Sequence, residues 1–406
     1  MTDLYDPNRR DPSRDEPDGT APPATDNRPG KPAGHGEGSP RTTPPDPAPA
    51  PDPAHARTGA DGGVQLPPVP DSVQSLEPGR VPSGGEDAER IRIGLWGAPR
   101  SGKTTYLAAL PIAAMQYQRH HEGAWNISGM TPEANAFLSR GIDLLTRQRT
   151  FPEASMGVQD MAWSVQGPQK KSKWGIGGRR PNFVLDIQDA AGEVFGDGHP
   201  QQGQLVGRLA RAQGLIYLFD PLGDANKATE TLNFLQSTLT QLTAQVRNRH
   251  GLIDGKLPHH VSVCVAKFDH PDIFHPAAEL GWVKQDAEGA ALPRVPEEQG
   301  EQYFQWVCDD FRGANARLVR DALYAYFDRR RISYYATSAV GFRLTPQHVF
   351  DYNDFVQPVE VDKKQRLRSS PVPINVLEPL IDLEERVHRD RSRDRRANAW
   401  RGRRQR

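Results

Sequence analysis

Long apolar runs are missing from this chain: nothing approaches the ~20 consecutive apolar residues that a membrane-spanning helix needs, so no transmembrane segment is expected. Cysteine is nearly missing too. Two occur in 406 residues, Cys264 in a strand-like run and Cys308 in a helix-like one. Neither spacing suits a metal, and so few thiols exclude a disulfide scaffold and suit a reducing compartment. An excess of charge of one sign is also absent. Fifty-one Lys and Arg meet fifty-one Asp and Glu, which removes any global argument for nucleic acid. Histidine offers no cluster: His120-His121 and His259-His260 are adjacent pairs that a strand would turn to opposite faces, and His250 and His270 border turns. No Ser/His/Asp or Cys/His arrangement has a local signature. The expectation is a soluble, cytoplasmic protein that meets a membrane only peripherally, if at all.

Aliphatic residues are scarce in a second sense, over residues 1–88. Pro, Gly, Asp, Arg and Ala dominate there, as in the proline-alternating stretch 44–53. Such a segment buries too little apolar surface to offset its ordering entropy, so a long disordered, partly polyproline-like N-terminal tail is expected. Its start lacks the apolar stretch of a secretory leader. The roughly 300 residues that follow suffice for one large core with insertions.

What is present begins with Gly97-Ala98-Pro99-Arg100-Ser101-Gly102-Lys103-Thr104, which spells GxxxxGK[ST]. A short apolar run, Ile91–Trp96, precedes it, and the helix-like Thr105-Tyr106-Leu107-Ala108-Ala109-Leu110 follows. Strand, glycine loop and helix are the context in which this pattern cradles phosphate. Loop N–H groups and the helix N-terminus would face a β-phosphate, Lys103 would bridge β- and γ-phosphates, and the Thr104 hydroxyl would ligate Mg²⁺. Arg100 is within reach of phosphate but reads first as a solvated surface residue. Pro111 should kink or end this first helix.

Further apolar runs recur: Val158–Val165 alternates, and 183–188, 214–219, 261–266 and 332–336 are nearly continuous. The last four read as strands buried on both faces of a parallel sheet. Between them, Leu232, Leu235, Leu239, Leu242 and Val246 form one helical stripe. Leu318, Val319, Ala322, Leu323, Tyr326 and Phe327 form another, and a last helix begins near Val376. Both stripes read as core. Strand–helix alternation implies a three-layer α/β domain with a mostly parallel central sheet. Insertions interrupt it near 168–181 (a long hairpin loop), 279–300 and 343–373, the last expected to be weakly structured.

A phosphate loop alone does not separate ATP from GTP, but three further motifs follow it. Asp189-Ala190-Ala191-Gly192-Glu193 is a DxxG at a strand's C-terminal end, where an Asp can hold Mg²⁺ through water and a Gly N–H can meet a γ-phosphate. Ala266-Lys267-Phe268-Asp269 ends a later strand. There the Asp can accept from both donors on guanine's Watson–Crick edge while the Lys stem covers the base. Thr337-Ser338-Ala339 ends the next, where a backbone N–H can meet guanine O6.

In order and placement these motifs resemble the Ras-like, translation-factor-related (TRAFAC) class of P-loop GTPases, nearest the bacterial double-GTPase type found beside conflict or signalling modules. The resemblance covers about residues 89–388. It implies a Ras-like domain of the three-layer P-loop NTPase fold that binds GTP/GDP and Mg²⁺ and controls a partner protein. Gly97, Gly102, Lys103 and Thr104 match its phosphate loop, with Ala98, Pro99, Arg100, Ser101 and Thr105 beside the nucleotide. Asp189 and Gly192 match the magnesium and γ-phosphate switch. Lys267 and Asp269 match the guanine signature, and Ser338 and Ala339 the last guanine contact. Two positions depart from the pattern. Ala266 stands where an Asn usually ties the base loop to the phosphate loop. Glu193 stands where a water-orienting Gln is common, so hydrolysis is expected to be slow, with Lys103, Gly192 and Glu193 nearest the chemistry. The first-switch hydroxyl for Mg²⁺ falls to Ser155 or Thr150. Two alternatives remain at this point: an ATP-using P-loop enzyme, and a nucleotide-gated scaffold that hardly hydrolyses.

One basic feature stands apart. Residues 389–406 hold nine arginines against two aspartates. With Lys170, Lys171, Lys173, Arg179, Arg180 and Trp174 of the hairpin loop, they offer an anionic docking surface or simply a solvated terminus.

Overall fold

The computed structural model describes residues 90–120, 123–153, 159–169, 178–189, 200–223, 228–287 and 289–404, all within the unit Glu77–Arg406. The expected tail over 1–88 lies outside them.

Seven strands form the central sheet: β1 (Ile91–Gly97), β2 (Asn126–Gly129), β3 (Gln159–Gln166), β4 (Asn182–Asp189), β5 (Gly214–Phe219), β6 (His260–Val265) and β9 (Ile332–Ala336), in the order β2-β3-β4-β1-β5-β6-β9. From β4 to β9 all neighbours are parallel, while β3 and β2 add an antiparallel edge. Parallel strands are buried on both faces, which is why 214–219 and 260–265 are buried throughout. Side chains alternate between two cores. Leu215, Tyr217, Phe219, Val261, Val263 and Val265 face one layer, and Ile216, Leu218 and Cys264 the other. The first layer holds α3 (Pro200–Leu209), α4 (Ala228–Asn248), α5 (Pro271–Glu279), α6 (Gly300–Trp306) and α7 (Ala314–Tyr326). The second holds α1 (Lys103–His120), α2 (Pro132–Ile142) and α8 (Glu378–Arg404). The expected three-layer α/β architecture is observed.

Three expectations change. Helix α1 runs through Pro111 to His120. Residues 106–114 are buried throughout, and that packing outweighs the single hydrogen bond the proline removes. Leu318 is exposed, and the α7 stripe is carried by Val319 and Leu323 with Phe327 beyond the helix. The segment 343–373 is ordered around a hairpin, β10 (Pro358–Val361) and β11 (Lys364–Leu367), with Phe350, Phe355, Gln357 and Leu367 buried. A smaller ribbon, β7 (Lys284–Gln285) and β8 (Pro293–Arg294), occupies the earlier insertion. Strand β2 gave no sequence signal because Asn126-Ile-Ser-Gly129 is an edge strand with one apolar residue. The expected hairpin loop joins antiparallel β3 and β4, whose last pair is Gln166↔Asn182.

Candidate nucleotide site

The C-terminal ends of β1, β4, β5, β6 and β9 share one edge of the sheet, because these strands are parallel. Every motif singled out above starts at that edge, where open α/β sheets bind ligands.

The phosphate loop leaves β1 at Gly97. A Cβ there would sit 2.7 Å from Leu218 O and 2.8 Å from Ser101 Oγ, so only glycine allows this close approach. Ala98 and Ser101 are buried, Pro99 and Thr104 are half-buried, and Arg100 is exposed in the left-handed region with φ 65°. Gly102, with φ 91°, completes the reversal into α1. Tyr106 N–H donates to Gly102 O at 2.8 Å, and Ser101 N–H to Ala98 O at 3.2 Å. Lys103 folds back over the loop, and its Nζ donates to Gly97 O at 3.0 Å and Ala98 O at 2.9 Å. Its ammonium is thus held across the loop that would receive phosphate oxygens.

Strands β1 and β4 stay in register from Ile91↔Phe183 to Gly94↔Asp186, so Asp189 ends β4 level with Gly97. The Thr104 hydroxyl and an Asp carboxylate at adjoining strand ends are the hard oxygen donors that Mg²⁺ takes, so the residue types fit that ion. The Asp189 side chain, Gly192, Glu193 and Ser155 lie outside the described residues. Thr150 is described: its N–H donates to Leu144 O at 3.0 Å, and it bridges Arg366 of β11.

The loop after β6 is built around Asp269, which is buried. Ser338 Oγ donates to Asp269 Oδ1 at 2.5 Å and accepts from Gly341 N–H at 2.7 Å. Two motifs 69 residues apart are thereby joined. Burial pushes the Asp269 carboxyl above its usual range, while the Ser338 hydroxyl pulls the other way. The loop is clamped by Phe268 N–H to Thr337 O at 3.1 Å, and Thr337 N–H to Val265 O at 2.8 Å. The Ser338 N–H donates to Ile374 O at 3.0 Å.

Lys267 sits in the left-handed region at φ 60°. Its Nζ donates to Asp220 Oδ2 at 2.7 Å, just past β5, and Asp220 Oδ1 accepts from Leu222 N–H at 2.9 Å. Ala266 itself offers only backbone, its N–H donating to Phe219 O at 2.8 Å. The side-chain tie of this loop runs instead from Lys267 to Asp220, in the neighbouring loop after β5. Sequence reading missed Asp220. Its signal was position: a carboxylate directly after a buried parallel strand.

No protein-family model and no curated protein sequence matches this chain. Among solved structures it resembles a putative nucleolar GTP-binding protein 1 from Plasmodium falciparum, at 10% identity over 77% of this chain and 93% of that one, with a TM-score of 0.32. It also resembles Sup35 complexed with GDP, at 11% identity over 64% of this chain and 41% of that one, with a TM-score of 0.26.

Of the remaining candidates, His270 adjoins Asp269, while the others lie in the cores or at the N-terminal end of β6. Cys264 and Cys308 are buried free thiols in the two cores. His270 caps α5, accepting from Asp272 N–H at 3.3 Å. His259 and His260 do face opposite ways, toward Leu209 O and Asp390. No helix is long and apolar enough to cross a membrane among the described residues.

Proposed function

We propose that the chain is a GTP-binding molecular switch that hydrolyses GTP slowly and controls a partner protein, with one Ras-like domain over about residues 89–388. One observation carries this reading: a buried carboxylate, Asp269, oriented by Ser338 at the same sheet edge as a phosphate loop closed by Lys103. A carboxylate presents two acceptors and no donor. Guanine presents N1–H and the exocyclic amine on one edge, whereas adenine presents an acceptor at N1, so the charge complementarity selects guanine. Those two donors restore to Asp269 the solvation that burial removes, and the Lys267 stem, anchored by Asp220, covers the ring.

At the other end, loop N–H groups and Lys103 take phosphate oxygens and stabilise the charge that grows as water attacks in line. When bound, Mg²⁺ neutralises phosphate charge, with Thr104 and Asp189 as its residues and Ser155 as the switch candidate. Gly192 N–H meets the γ-phosphate, Glu193 flanks the attacking water, and loss of those contacts on hydrolysis releases the switch segments. A control of bacterial signalling or conflict systems follows from the resemblance of the motifs.

Calorimetry with GDP and ADP tests the reading, beside Asp269→Asn. Asn offers one acceptor and one donor, which complements xanthine's N1–H and C2 carbonyl. The expected result is GDP binding that falls about 100-fold or more in the variant, with xanthosine diphosphate binding gained. ADP binding that survives the substitution overturns it and favours an ATP-using enzyme. A second reading, a scaffold that binds without turnover, is favoured by Ala266 and Glu193. It predicts less than one GTP hydrolysed per protein over hours.

A further inference from the structure

We propose a second anion site, for a ligand bearing clustered phosphate groups, at the end of the sheet opposite the phosphate loop. A cavity of about 410 Å³ opens between Arg179, just before β4, and one face of α8 carrying His388, Arg389, Ser392, Arg393 and Arg396. Glu385 also lines it. Arg389, Arg393 and Arg396 follow i, i+4, i+7 spacing, so a single helix face points three guanidiniums at one space.

The position is set by how α8 crosses the sheet. Near its start, Ser262 Oγ donates to Pro379 O at 3.3 Å. Further along, Asp390 meets His260, the first residue of β6, at 3.0 Å. The helix therefore travels toward the N-terminal ends of the strands. Arg179 lies at that same edge, three residues before β4 begins. The nucleotide motifs all lie at the C-terminal edge.

The site is built rather than merely charged. Glu384 is fully buried, and it fixes Arg179 through both guanidinium nitrogens, one at 2.8 Å from Oε2. That pair is neutral, and the other arginines have no equivalent. Arg389 and Arg396 make no ion pair among the described residues. Arg393 reaches only Asp390, at 3.9 Å, and Asp390 also meets His260 and Arg331 at 3.0 Å. Four guanidiniums thus face Glu384, Glu385 and only a share of Asp390, which Arg331 and His260 also draw on. The cavity also senses its field: His388 is held below its usual pKa, first by burial and next by the Arg179 charge. A neutral His388 beside Ser392, at 3.4 Å, adds uncharged hydrogen-bonding groups.

The chemistry favours phosphate over a single carboxylate. Arg389 and Arg396 are separated by about 10 Å along the helix axis, more than one phosphate group spans. Guanidinium forks match phosphate oxygens in pairs. Two sources carry such chemistry, a soluble polyphosphate and a phosphorylated lipid headgroup.

The test uses the full chain and an Arg389→Ala/Arg396→Ala variant. Both residues are exposed, so the thermal midpoint and GDP affinity should be unchanged. Calorimetry with inorganic tripolyphosphate, without added metal, should show a binding component weakened about tenfold or more in the variant. Co-sedimentation with phosphatidylcholine vesicles, with and without phosphatidylinositol bisphosphate, runs in parallel. Loss in the first assay assigns a soluble polyphosphate, and loss confined to the second assigns a lipid headgroup. Wild type and variant behaving alike in both overturns the site. GDP binding in the same samples reports separately on the guanine reading.

Discussion

At the scale of single residues, burial sets the chemistry. His259 sits in the core with Nε2 3.1 Å from Leu209 O, while its buried Nδ1 has no partner. A second proton would be buried without an acceptor, so burial lowers its pKa to about 4, against 6.5 for a free histidine. The folded-state value is depressed, so between those limits the unfolded chain binds a proton that the native one refuses. Stability through His259 is therefore whole near neutral pH and declines as pH falls from about 6.5 toward 4, by up to about 3 kcal/mol. Urea unfolding at pH 7 and pH 4.5 should show a smaller pH difference for His259→Gln than for wild type, and equal differences would refute the assignment. Asp269 has the opposite sign. Its raised pKa makes its own contribution to folding fullest at low pH and lost as pH rises past its folded value. Two donors from a bound ligand would offset that penalty.

Among elements, the insertion 343–373 changes most between sequence and structure. Read as a string, it has no sustained period and reads as loop. In the fold it holds two motif segments together. Leu367 N–H of β11 donates to Arg149 O at 2.7 Å, and Thr150 bridges Arg366. At its end, Ile374 exchanges hydrogen bonds with Ser338 at 2.8 and 3.0 Å. Beneath lies a small apolar cluster of Ala108, Ala109 and Ile112 from α1 with Leu145, Val340 and Leu367, against which Phe151 and Ala339 pack. The segment Arg149–Phe151, the loop Ser338–Val340 and the hairpin therefore share one contact set. If the switch responds to nucleotide, hydrogen exchange in 358–367 should differ between GDP and a non-hydrolysable GTP analogue. Phe151→Ala should abolish that difference, and identical exchange in both wild-type states would show that the hairpin does not follow the nucleotide.

For the molecule as a whole, two cores of unequal extent sandwich the sheet, and α8 closes the second one from the far end of the chain. Val376, Leu377, Leu380, Leu383 and Val387 are all buried against it, and Tyr106 OH of α1 donates to Val376 O at 2.5 Å. Burying five such side chains contributes on the order of 10 kcal/mol, comparable to the entire stability of a domain. A chain ending at Asn375 should therefore fail to fold cooperatively. One ending at Arg396 should keep its thermal midpoint within a few degrees. A folded, cooperative 1–375 chain would show that the sandwich stands without α8.

The phosphate loop, the order of the motifs and the buried strands were legible because each depends on local spacing. A GxxxxGK[ST] loop after the run Ile91–Trp96, a run such as Gly214–Phe219 and an acidic residue after a strand carry their meaning in adjacent positions. Period and turn chemistry suffice for those. Asp220 under Lys267, Ser338 on Asp269, Arg179 on Glu384 and the hairpin pinned to Thr150 join residues from 47 to more than 200 positions apart. No local pattern encodes such pairings. They arise because parallel strands bring their ends to common edges, so chain-distant loops become neighbours. Pro111 makes the same point in reverse: local chemistry kinks or ends a helix there, and burial on the sheet keeps α1 from ending.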